Sequence, residues 1–276
     1  MKKIILLLLL IAGLAFGDLK QVLKNNTIQF QVNQMNIDQI KQVRKYGANV
    51  DVDANSTPQY VWDGQFEYTY DTVNQTIYLV SSSAADNVKI TVEGLVEVDG
   101  EWNKQEIDVH LNGTTAVEVG EFIRVFRIRA SNAISPLGIV QARTDTTYTA
   151  VTDTASVANL RAQISLNPET SNSRNSTLMA MYTVPSGKTA FIYRGFIAVR
   201  KLQDAEFDLQ IRNFGSVFYS SAVIPIYQEA WQYELGYERV PEKSDIRVKV
   251  GSQGNNTQAY SSFHMLVIDN KYLEQE

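Results

Sequence analysis

Apolar and polar residues alternate with a period of two through residues 90–116, and three turn signals interrupt the alternation. This period places successive side chains on opposite faces of a strand, which predicts a β-meander in a sheet with one solvent-exposed face. Asp99-Gly100 and Asn112-Gly113 are two of the turns, because both dipeptides tolerate the positive φ that type I′ hairpins require.

Strand patterns continue along most of the chain. β-Branched and aromatic content predicts strands at residues 65–70, 77–80, 88–93, 104–111, 122–129, 139–143, 177–184, 189–200, 207–212, 215–220, 244–250 and 261–269. Beyond the first residues no long amphipathic helical period occurs. We therefore predict an all-β fold of two antiparallel β-sandwich (jelly-roll-like) domains, preceded by an N-terminal leader and an arm.

Composition shifts divide the chain into five predicted segments. They are a signal peptide at 1–17, an arm with a short helix at 18–49, a first sandwich at 50–143, a linker rich in Thr, Ser and Asn at 144–176, and a second sandwich at 177–270.

The leader has a basic start, an apolar run and small residues before Asp18, which is typical of a signal peptide cleaved after Gly17. An uncleaved membrane anchor is the alternative. In the arm the apolar period changes from two toward three or four, so a short helix is expected to end near Gly47.

The composition narrows the classes of function. The chain has 276 residues, no cysteine and a formal net charge of -5, so disulfides and thiolate metal sites are excluded and nucleic acid is not an expected partner. Strand alternation places Arg127 and Arg129 on one face with Val125, and Arg124 on the other with Phe126. This pattern favours a solvated face or a subunit contact.

Candidates for catalysis are weak. His110 shares the wet face of its strand with Asp108, and His264 lies in the last apolar strand, so both are expected to be ordinary strand histidines. Asp51 and Asp53 resemble the start of a calcium loop, but the glycine and later acidic ligands are missing. We expect no enzyme activity, no cofactor and no metal.

Aromatic residues are concentrated in two segments that look like loops. They contain Trp62 in the first segment and Trp231, Tyr233 and Tyr237 in the second. Exposed aromatic rings stack on sugars or anchor protein interfaces, so these four residues are candidate interface or ligand contacts. The alternative is that they close the ends of the sandwiches.

Five motifs carry a resemblance to a known group of proteins. They lie at residues 44–53, 57–64, 92–116, 178–188 and 240–247. Together they resemble poorly characterised structural proteins of tailed bacteriophages, many of them from marine phages, and the resemblance covers most of residues 44–270.

The resemblance implies a virion component such as a capsid decoration, head-fibre or tail-associated subunit, whose partners are its own copies and other virion proteins. The leader departs from this pattern, because virion proteins normally assemble in the host cytoplasm. An exported adhesin or carbohydrate-binding β-sandwich, secreted or at the cell surface with a glycan or cell-surface receptor as partner, is therefore the alternative. A glycan-cleaving tail protein ranks third.

Overall fold

The computed structural model describes residues 40–54, 57–130, 134–152, 155–166, 174–200, 203–227 and 230–273. These residues form sixteen strands, two 3₁₀ turns and no α-helix, which confirms the predicted all-β class. The signal peptide and the first part of the arm lie outside the described residues. The predicted domain boundaries stay predictions.

Strands β3 to β9 build an N-terminal sandwich of two antiparallel sheets, ordered β6-β3-β8-β9 and β5-β4-β7. The strands are β3 (Gln75–Ser81), β4 (Lys89–Val98), β5 (Glu101–His110), β6 (Val117–Phe122), β7 (Arg124–Ala130), β8 (Val140–Arg143) and β9 (Leu160–Ile164). The hairpin of the predicted meander is confirmed, since β4 pairs with β5 from Lys89 opposite His110 to Val98 opposite Glu101. The meander does not continue, because the next strand, β6, pairs with β3 in the other sheet.

The other strands build a C-terminal sandwich with sheets ordered β1-β16-β11-β14 and β10-β15-β12-β13, and β2 pairs with β15. They are β1 (Ile40–Val52), β2 (Gln59–Tyr60), β10 (Met181–Thr183), β11 (Lys188–Arg200), β12 (Asp204–Arg212), β13 (Tyr219–Tyr227), β14 (Ala230–Val240), β15 (Asp245–Ser252) and β16 (Thr257–Asp269). The 3₁₀ turns are Ala155–Val157 and Asn270–Tyr272.

The predicted short helix in the arm is wrong for the residues described, because Ile40–Val52 is the edge strand β1. It pairs with β16 in one continuous register from Ile40 opposite Ile268 to Asn49 opposite Ala259. Ten or so backbone pairings with a long neighbouring strand outweigh a weak local period of three to four residues.

The sequence also indicates a short strand at residues 162–164 inside the linker, and the structure confirms it as β9, which pairs with β8. Two other predictions of local structure are wrong. Residues 65–70 form no strand, and their aromatic rings pack into a core cluster around Trp62 instead. The second aromatic segment is the strand β14 and not a loop.

A β-bulge corrects the predicted faces of β7. Gly94 pairs with Val125 and Glu93 with Arg127, so Phe126 is the extra residue. As a result Val125 lies in the core of the N-terminal sandwich, while Phe126 enters the core of the C-terminal one. Arg124 is buried as well, contrary to the expected solvated face.

The hydrophobic core of the C-terminal sandwich also contains residues of the N-terminal one. Leu95, Trp102, Ile123 and Phe126 from the N-terminal sandwich join the largest apolar cluster, whose other members come from the C-terminal sandwich and the segments packed on it. β1 and β10 are the sheet edges on this side. The opposite edges of the C-terminal sandwich, β13 and β14, therefore form its free side.

Candidate functional site

Trp62 is a core residue, which corrects the expectation of a surface contact. Its side chain is 0% exposed, and its indole nitrogen donates a 2.8 Å hydrogen bond to the carbonyl oxygen of Phe66. Its ring meets the Tyr68 ring edge to face, with 5.5 Å between centroids. No ligand or partner can reach this ring in the folded protein.

The other three predicted residues lie on β14, in different settings. Trp231 is 58% exposed. The Tyr233 ring covers Gly195 on the neighbouring strand, and its hydroxyl donates to the carbonyl oxygen of Ser262 at 3.4 Å. Burial raises the pKa of Tyr233 above its ordinary value. Tyr237 is half-buried with a positive φ of 68°. Only Trp231 therefore offers its ring to solvent.

Three exposed apolar or aromatic side chains lie on the two edge strands at the free side of the C-terminal sandwich, and we call these residues together the β13–β14 surface. It consists of Val223, Tyr227 and Trp231, which are 50%, 70% and 58% exposed. Val223 and Tyr227 share one face of β13, because their positions differ by four residues. Trp231 lies near the start of β14 in the other sheet, on the strand face that also carries Tyr233 and Leu235.

The backbone edges of this surface are blunted. β13 carries Pro225, which has no N–H to donate to an added strand. The pairing of β14 with β11 is irregular between Ile192 and Arg194, and Gly236 and Tyr237 both have positive φ there. Edge strands with a proline or a bulge resist continuation of the sheet. Contacts on the β13–β14 surface must therefore come from side chains.

A buried ionic cluster ties the two sandwiches together. Asp245 on β15 accepts hydrogen bonds from Arg124 of β7 at 3.0 and 3.3 Å and from the Thr183 hydroxyl at 2.6 Å, and it also pairs with Arg212. Arg124 and Asp245 are only 4% and 2% exposed. The guanidinium of Arg124 further donates to the carbonyl oxygen of Asp71 at 2.5 Å.

Aromatic rings surround the cationic side of this cluster. The Arg124 guanidinium carbon lies 4.9 Å from the Trp102 ring centroid and 5.2 Å from that of Tyr70. Arg212 lies 4.5 Å from the same Tyr70 centroid. Planar guanidinium groups stack favourably on aromatic faces, and the attraction grows when the groups are desolvated. The cluster therefore stabilises the contact between the two sandwiches.

The titratable residues form no recognisable catalytic arrangement in the part of the chain that the structure describes. No group of three or more His, Cys, Asp or Glu side chains could hold a metal ion there. Burial, with Arg194 and Arg44 nearby, lowers the pKa of His264 to about 4, and its Nδ1 accepts a 3.3 Å bond from Arg194. His110 is exposed, as predicted. Over the same described residues, no helix is long and apolar enough to cross a membrane.

Sequence reasoning missed Val223 and Tyr227 because the predicted strand ended at residue 220. A usable signal was present, since residues 218–227 contain no charge and five successive apolar residues that include Pro225. A proline inside an otherwise strand-like run marks an edge strand.

Comparison with known proteins identifies no family. No family model matches the chain, and no curated protein matches its sequence. Solved structures with a detectable likeness include a structure of infectious bursal disease virus strain Gx, with 10% identity, 83% of this chain and 72% of that chain covered, and a TM-score of 0.23.

Two other solved structures with a detectable likeness are a tandem domain of a bacterial protein and a second virus. The CBM22 tandem domain of Xyn10C from Paenibacillus barcinonensis has 9% identity, covers 84% of this chain and 94% of that chain, and has a TM-score of 0.22. A structure of Sulfolobus Turreted Icosahedral Virus has 9% identity, covers 85% and 92%, and has a TM-score of 0.23. At such low TM-scores none of these likenesses supports an argument about function.

Proposed function

We propose that this chain is a non-enzymatic structural subunit of a tailed-bacteriophage virion, a capsid decoration, head-fibre or tail-associated protein. It assembles with its own copies and with other virion proteins through the β13–β14 surface. The phage origin is proposed because the five motifs between residues 44 and 247 resemble structural proteins of tailed bacteriophages. The observation that carries assembly is the exposed apolar and aromatic surface on the free side of the sandwich.

Burial of these side chains by a partner would stabilise an assembly. Fully burying a large apolar side chain contributes roughly 1.5–3 kcal/mol, and aromatic residues at the centre of interfaces are the common anchors. Val223, Tyr227 and Trp231 leave at least half of their surface in water. A partner that covers them gains several kcal/mol without needing the blunted strand edges.

Sedimentation velocity over a concentration series of the purified chain tests assembly. We expect concentration-dependent self-association, weakened at least tenfold in a Tyr227→Glu, Trp231→Glu double variant. The matched control is Val73→Glu, which changes a side chain that is 60% exposed but lies elsewhere. Unchanged thermal unfolding shows that the variants fold. A wild type that stays monomeric throughout, or a double variant that associates like it, contradicts the proposal.

A second candidate is an exported adhesin or carbohydrate-binding protein, with Trp231 as a stacking platform for a sugar ring. The exposure of Trp231 favours it, since the C–H face of a pyranose ring can stack on an indole. Trp62 and Tyr233 are the other predicted platforms, but Trp62 is buried and the Tyr233 ring lies over Gly195. Binding on a glycan array that Trp231→Ala abolishes supports this candidate, and an array without signal rejects it.

A further inference from the structure

A basic groove lies between the edge strand β1 and the β5-β4-β7 sheet of the N-terminal sandwich. Its volume is about 660 Å³, which is within the range of small-molecule sites. Positively charged side chains line it from both walls. They are Lys41 and Lys45 from β1, with Lys104, Arg127 and Arg129 from β5 and β7. The side chain of Arg44 lies on the other face of β1, where it bonds to Gln42.

Two carboxylates, Glu93 and Glu106, also line this groove and form ion pairs with its β5 and β7 wall. The Lys104 amine lies 3.0 Å from Glu93 and 2.5 Å from Glu106. Glu93 is also 3.8 Å from Arg127, and Glu106 is 3.7 Å from Arg129. Glu93 and Glu106 thus neutralise part of the positive charge of Lys104, Arg127 and Arg129.

The β1 wall is compensated less directly. Lys41 and Lys45 form no ion pair with any carboxylate in the part of the chain that the structure describes, although the charge of Glu93 favours the ammonium form of both and that of Glu106 favours that of Lys41. The cations that line the groove outnumber its two carboxylates. In a chain whose formal net charge is -5, this is a local concentration of positive charge.

Lys45 is the most constrained member of this wall. Its side chain is 4% exposed, and its amine donates one 2.7 Å hydrogen bond, to the carbonyl oxygen of Phe126. An ammonium group has three donors, so two remain for another acceptor. Burial, and then the charge of Arg127, lower the pKa of Lys45 to about 7. Burial and the neighbouring Lys104 likewise lower the pKa of Lys41.

We propose that this groove binds a small ligand carrying a phosphate or sulfate group, held by Lys41 and Lys45 from β1 and by Arg129 from the facing wall. Such oxyanions offer several acceptor oxygens, which match ammonium and guanidinium donors and are bound through short charge-assisted hydrogen bonds. The uncharged part of the ligand packs on Val43 and Phe126, which also line the groove. The site is distant from the β13–β14 surface and independent of the proposed assembly.

Isothermal titration of the full chain at low salt tests the proposal. The probes are inorganic phosphate, inorganic sulfate, tripolyphosphate, glucose 6-phosphate and a sulfated disaccharide. We expect saturable binding of at least one ester or polyanion, weakening as salt increases because the contacts are electrostatic. Preference for the phosphate ester or for the sulfated sugar then distinguishes the two sources of the oxyanion.

A double variant, Lys41→Gln with Arg129→Gln, is expected to lose at least tenfold in affinity. Both side chains are exposed, so the fold should be unaffected. The control is Lys271→Gln, an exposed lysine outside the groove, which should bind like wild type. No saturable binding of any probe, equal affinity in the double variant, or tighter binding of a single-stranded oligonucleotide than of every small probe would overturn the proposal.

Discussion

Replacing Asp245 by Asn should be among the most damaging single changes in this protein. The carboxylate is 2% exposed and is shared by the guanidinium groups of Arg124 and Arg212 and the hydroxyl of Thr183. An amide keeps the volume but removes the negative charge. Arg124, itself 4% exposed, then stays buried as a cation without its counter-ion.

The loss in the free energy of unfolding comes from the buried, unpaired charge of Arg124. Removing one partner of a buried ion pair costs about 3–5 kcal/mol, mostly because the remaining charge is desolvated and unpaired. Arg124→Met should cost less, on the order of 2–3 kcal/mol, since Asp245 keeps Arg212 and Thr183. The double variant should cost less than the sum, with a coupling energy of about 1–3 kcal/mol.

Urea unfolding followed by tryptophan fluorescence and by circular dichroism measures these free energies. Because the cluster joins β7 to β15, Asp245→Asn should also separate one shared transition into two, one for each sandwich. Additive effects in the double variant, or a loss below about 1 kcal/mol for Asp245→Asn, would refute the view that this cluster fastens the sandwiches.

Two further predictions concern stability. Burial raises the pKa of Asp63 to about 7 and lowers that of Lys45 to about 7, so the folded state binds the extra proton of Asp63 below pH 7 and lacks that of Lys45 above it. Stability should therefore fall as pH rises from about 4 to 7 and rise again from about 7 to 10. Urea midpoints measured across this pH range check both effects. The fall below pH 7 should be absent in Asp63→Asn, and the rise above pH 7 should be absent in Lys45→Met. Gly195→Ala places a Cβ into the Tyr233 ring, which should lower the free energy of unfolding by about 1–3 kcal/mol. Gly251→Ala, where the nearest atom is 3.9 Å away, should lower it less, and thermal unfolding of both variants measures the difference.

The sequence predicted the fold class well because strand alternation and turn chemistry are local signals. The β4–β5 hairpin is the clearest case, since its alternation and the Asp99-Gly100 turn determine the register without help from other strands. The dipeptide has φ values of 52° and 82°, as a type I′ turn requires.

Long-range features escaped prediction for physical reasons. β1 is a strand because β16 lies beside it, a partner more than 200 residues away. The bulge at Phe126 reverses the faces of β7, and nothing in the local alternation announces one extra residue. Burial of Trp62 and exposure of Trp231 likewise depend on which sheets cover each ring.

The proposed function places this chain in a phage particle. Mass spectrometry of virions produced from the genome that encodes it, purified through a density gradient, tests that proposal. We expect peptides from residues 40–273 that co-migrate with the particles in a fixed, multi-copy ratio to the other virion proteins. Peptides found only in the cell envelope or culture supernatant, and absent from the particles, would contradict it.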